Sequence, residues 1–186
     1  MIDTRALRAA LGAALLLGAV MTFGDYVWET WHVRHRMAYG LAHGAVMCLV
    51  IGAVIGARTR RVGAGALGGP IIGVAAAGAF YLLAAAMGML AMLPAWMLFW
   101  ILFALLQQRM LSAETVPRAL ARGGVAALLS GAAFYAISGI WTRPAPGGPD
   151  YPVNFVSWSF AFLPGFLTLF WFTRPRMRPN EWRHSA

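Results

Sequence analysis

From residue 62 to residue 106 the chain runs for 45 residues without a charged side chain. One helical crossing of a bilayer's hydrocarbon core takes about 20 apolar residues. In lipid the backbone must satisfy its own N–H and C=O groups. So long a run therefore folds as two apolar helices joined by a turn, which glycine and proline place between residues 88 and 94. The rest of the chain agrees with a membrane setting. Hydrophobic residues make up 60% and charged residues 11%, against about 25% charged in a soluble domain. Mean hydropathy is +0.66.

The layout around that hairpin is legible in order. A short basic start precedes an apolar run at residues 9–23, read as a first span because no small-x-small cleavage site follows it. Gly24 ends that run and opens the most polar stretch of the chain. Residues 37–57 form a second span, with Gly40-x-x-x-Gly44 and Gly52-x-x-x-Gly56 suited to close helix approach. Spans three and four are the hairpin, the third opening on a run of glycines. A polar loop at residues 112–122 leads to a fifth span at 123–140, with Thr115 and Pro117 as its N-cap region. A proline-rich loop at residues 141–154 reads as irregular. A sixth span at 155–173 is interrupted by Pro164-Gly165.

This reading gives an all-α, polytopic membrane helical bundle of six transmembrane helices, in one domain over residues 1–173. The basic tail, 174–186, is expected to be disordered. With six spans, twelve arginines fall on the side of both termini and three on the other. That asymmetry predicts N-in/C-in topology in a bacterial-type cytoplasmic (inner) membrane. Ala79-Phe80-Tyr81 and Ala133-Phe134-Tyr135 echo each other in two spans of the same direction, the trace of a duplicated hairpin or of chance.

Charge and composition exclude several functions. The net charge of +9 comes from arginines set between apolar runs, so membrane lipids are the expected partners and nucleic acid is not. A membrane-protein partner or a second copy of the chain is a further candidate. All 15 basic residues are arginine, which removes any Schiff-base lysine. Cys48 is the one cysteine and lies in an apolar run, so it reads as packing. There is no P-loop, no Rossmann glycine pattern and no Ser-His-Asp set.

What remains is one polar stripe. If residues 25–57 form one continuous helix, Asp25, Glu29, His32, Arg36, Tyr39 and His43 lie along a single face that enters the membrane. Such a helix would be about 50 Å long against a core of about 30 Å. Its outer part would then project beyond the membrane, with Glu29, His32 and His43 turned toward the bundle. Glu29-x-x-His32 is the carboxylate–imidazole pair that di-iron bundles use, but its second copy is absent. A single divalent metal could use only Asp25, Glu29 and His32. His43 would lie about 16 Å beyond His32 along that helix. No other cofactor is implied, and haem lacks a second buried histidine. A histidine two turns inside a span needs a partner; the plain choice is a backbone carbonyl, Tyr81 or Tyr135. Spans three to six read as free of charge at their cores, which weighs against a transporter. Two functions follow. The first is a non-catalytic binding or accessory protein whose outward-facing polar pocket takes a lipid headgroup, small ligand or partner protein. The second is an outer-leaflet enzyme with Glu29 or His32 as general base or metal ligand.

Overall fold

The computed structural model describes residues 4–31, 34–111, 114–141 and 150–171, with backbone alone at 138–141. Among the described residues every regular element is helical. The helices are α1 (Thr4–Thr30), α2 (Arg36–Arg58), α3 (Val62–Met87), α4 (Met92–Leu111), α5 (Val116–Trp141) and α6 (Tyr151–Trp171). Five helical stretches are long and apolar enough to cross a membrane, the third being Val62–Leu111. That stretch folds back on itself. Gly88 takes φ +56°, a conformation open to glycine, and a 3₁₀ turn at Gly88–Ala91 follows. Leu106, late in α4, then lies against Gly68, early in α3.

The helices pack in the order α2, α3, α4, α5, α6, α1, and the ring closes by a light contact between α1 and α2. Two kinds of packing hold it. Glycines build the α2–α3 pair. A Cβ on Gly52 would overlap the Gly65 carbonyl, and one on Gly73 would overlap that of Gly44. Side chains there would force the backbones apart, so close van der Waals and Cα–H···O contact depends on their absence. Aromatic rings build the core of α4, α5 and α6. Trp96, Phe99, Trp100, Phe134, Trp158, Phe162 and Phe166 form one network with centroids 4.9–6.4 Å apart, spacings at which edge and offset arrangements are favourable. Gly165 leaves the room that the Trp100 indole fills.

The turns follow local chemistry. At the end of α2, Arg61 N donates to Gly56 O at 2.7 Å and Arg60 N to Ala57 O at 3.3 Å. Arg60 sits at φ +58° between them. This is a Schellman ending with arginine where glycine is usual. At the start of α6, Asp150 Oδ1 accepts from Val153 N at 3.1 Å, and Pro152 occupies the first turn. Both are N-terminal helix signals. The two Ala-Phe-Tyr triplets serve alike. Tyr81 donates to Arg36 O at 3.0 Å, and Tyr135 to Met89 O at 3.3 Å. Each tyrosine ties the outgoing helix of a hairpin to the start of the helix before it.

Several expectations are corrected. Residues 25–57 are not one helix: α1 runs through Gly24 to Thr30, His35 is non-helical (φ −97°, ψ 77°), and α2 starts at Arg36. The chain thereby lays two apolar lengths side by side in place of one 50 Å rod. Residues 151–154 belong to α6, because the Asp150 cap and Pro152 start it early. Pro164 does not interrupt α6, which continues to Trp171; the carbonyl of Phe160 merely loses its N–H partner. Arg118 and Arg122 lie inside α5, whose start at Val116 precedes the expected 123. The proline-rich loop at 142–149 and the tail from 172 lie outside the described residues.

Candidate functional site

The polar stripe is divided between two antiparallel helices, yet part of it meets again across the α1–α2 seam. Asp25 and Glu29 are on α1; Arg36, Tyr39 and His43 are on α2. The Tyr39 hydroxyl donates to Gly24 O at 2.5 Å. The His43 ring stacks on Tyr39 at 5.8 Å and 4°. Its Nε2 stands 3.2 Å from the Met21 sulfur. Gly24 makes this meeting geometrically allowed, since a Cβ there would overlap the imidazole. The residue that reads as a helix breaker is thus retained inside a helix, where it costs about 1 kcal/mol of propensity, because it makes room for a ring.

The other stripe residues part company. Asp25 turns toward α6, where its Oδ2 accepts from Trp158 Nε1 at 2.9 Å and Asn154 Nδ2 at 3.3 Å. Glu29 is exposed. The expectation that it faces the bundle is not met: near the end of α1 no helix among the described residues covers it. Arg36 is exposed and lies 5.9 Å from the Trp28 ring, which in turn packs on Tyr39. His32 lies outside the described residues. Among the described residues no three His, Cys, Asp or Glu side chains converge. His43 finds its partner in Met21, and the tyrosines proposed for it, Tyr81 and Tyr135, bond to carbonyls elsewhere.

Beside the seam lies a half-open cavity of about 200 Å³. Met21 of α1 and Gly40, His43, Gly44 and Met47 of α2 form its near wall. Ala76 and Tyr81 of α3, Met92 and Trp96 of α4, and Trp158 of α6 form the rest. The lining is chiefly apolar, so this is not the polar pocket expected from the stripe. His43 brings the imidazole, Tyr81 a hydroxyl, and the indole of Trp158 links the wall to the Asp25 carboxylate.

A second polar cluster escaped the sequence reading. Arg122, 6% exposed, sits among the far ends of α4, α5 and α6. Its guanidinium forks onto Glu114, with the Nη2 contact to Oε1 and Nε to Oε2 at 3.4 Å. Nη1 donates to Gln107 Oε1 at 2.7 Å and Leu169 O at 3.4 Å, and Nη2 to Ala104 O at 3.3 Å. Five contacts meet its five N–H donors. One signal pointed here: Glu114 is the sole acid between Glu29 and Asp150.

Comparison with protein-family models, curated proteins and solved structures finds no match to this chain. The class is what fold and site define: an all-helical protein whose helices suit a membrane, with a cavity inside the bundle.

Proposed function

We propose that this is a non-catalytic binding protein of a bacterial-type inner membrane that holds a small ligand in the cavity beside His43. The observation that carries the reading is the cavity itself. A histidine kept only for structure would fill its surroundings. Here the imidazole borders about 200 Å³ of space walled by five helices. Apolar walls with few polar groups are the usual make-up of a small-molecule site.

In this reading α3 and α4 each cross the membrane, so the chain crosses six times. The twelve-to-three arginine asymmetry puts both termini in the cytoplasm. The cavity then opens in the outer half. A C-terminal alkaline phosphatase fusion should be inactive and a fluorescent-protein fusion bright; the reverse pattern contradicts this orientation.

Native mass spectrometry tests the binding. Wild type should carry a co-purified species. Ala76→Leu, which adds bulk to the cavity wall, should lose it at unchanged helical content. Identical, ligand-free spectra for both proteins would remove the reading.

A further inference from the structure

The cavity wall carries a donor set that goes beyond an apolar pocket. Three thioethers, Met21, Met47 and Met92, and one imidazole, His43, line the same space. Methionine, with three rotatable bonds, adapts its sulfur's position readily within such a space. Met47 lies one turn beyond His43 on α2, so the two share a face. Met21 approaches from α1 and Met92 from the start of α4.

The closest pair is already near ligand spacing. His43 Nε2 and Met21 Sδ are 3.2 Å apart. A first-row ion bonds nitrogen at about 2.0 Å and sulfur at about 2.3 Å, so one ion seated between them needs only a small opening of that gap. With its proton on Nε2 the neutral ring donates to the sulfur. With its proton on Nδ1 the same ring turns a lone pair toward the sulfur and the cavity. Moving between these states requires no change of charge.

Ligand type selects the ion. Neutral thioethers with imidazole suit a soft monovalent cation, Cu(I) above all, and disfavour hard ions that want oxygen. A net positive charge inside a membrane needs a counter-charge. The Asp25 carboxyl, whose Oδ2 accepts from Trp158 Nε1 at 2.9 Å, lies behind the wall that Trp158 lines, and a cation bound in the cavity would favour its charged form.

We infer that the cavity binds one Cu(I) through His43 and Met21, completed by Met47 or Met92. This rests on the binding reading above and gives it a ligand class. The ion enters and leaves as Cu(I), with no electron transferred.

The test is anaerobic titration of the purified full chain with Cu(I) against a chromogenic Cu(I) chelator. Wild type should retain one Cu(I) per chain. His43→Ala should lose it, and Met21→Leu should weaken it at least tenfold. Cys48→Ala should bind as wild type, because Cys48 is buried, its carbonyl lies against Gly69 of α3, and it does not line the cavity. X-ray absorption of the wild-type complex keeps the proposal testable should the variants fold poorly; it should show sulfur with one nitrogen around copper. Wild type without Cu(I), a variant lacking both His43 and Met21 that keeps full stoichiometry, or a Cys48→Ala protein that loses copper would each overturn it. Wild type that holds no Cu(I) but carries an organic species lost in Ala76→Leu rejects the metal and keeps the binding reading. Wild type with neither rejects both.

Discussion

The two polar clusters sit at opposite ends of the same bundle and are built on opposite terms. Around Arg122 every donor has a partner, three helices contribute, and the side chain is buried. Around His43 the imidazole stacks on Tyr39 and has, among the described residues, one hydrogen-bonding contact, to the soft Met21 sulfur, and it borders the cavity. The helix pairing differs in the same sense. α5 packs extensively on both α4 and α6, whereas α1 and α2 touch only lightly. A buried polar group that is saturated and surrounded holds helices together. One that is undersupplied and borders a cavity has capacity left for something else. The comparison assigns stability to the first cluster and binding to the second.

Arg122→Ala should show the largest effect on folding. It takes the cation from Glu114 and a donor from Gln107 and from carbonyls of α4 and α6, so the loss should be about 3–5 kcal/mol, the usual result of removing one partner from a buried pair. Thermal unfolding in detergent checks it, and a midpoint within about 2 °C of wild type would break the assignment. Gly24→Ala should come next. The new Cβ meets the His43 ring, and overpacking of this kind costs about 1–3 kcal/mol. Binding should fall with it, since the ring must leave Met21; unchanged binding would place the site elsewhere. Tyr39→Phe removes one hydrogen bond to Gly24 O and should cost about 1 kcal/mol by the same assay. A loss as large as that of Arg122→Ala would show the seam to be a structural joint.

These differences also mark what could be read from the chain. The hairpin in residues 62–111 and its turn at Gly88 were legible, because a chargeless run twice the crossing length leaves few alternatives. So was the glycine packing of α2, since i, i+4 glycines state their own geometry. The end of α1 at Thr30 and the new start of α2 at Arg36 were not, for periodicity carries Asp25 through His43 on one face whether or not the helix continues. Glu29 was misplaced for the same reason. Arg122 read as a loop arginine because topology counting takes arginines as flanking charge; its burial depends on where Glu114 and Gln107 arrive in space. The cavity was illegible in principle, being the space five helices fail to fill. Met21, Met47 and Met92 look like ordinary core residues, and only their place with His43 around one cavity sets them apart.

The central claim is that the His43 cluster is kept for binding and the Arg122 cluster for stability. The most direct measurement follows thermal unfolding and bound-ligand stoichiometry in parallel for His43→Ala and Arg122→Ala. The account predicts that His43→Ala unfolds within about 2–4 °C of wild type, the equivalent of about 1 kcal/mol in a chain of this size, and carries no ligand. Arg122→Ala should unfold far lower, and the fraction still folded should bind as wild type does. A His43→Ala protein that loses as much stability as Arg122→Ala, from a wild type that binds nothing, would contradict it.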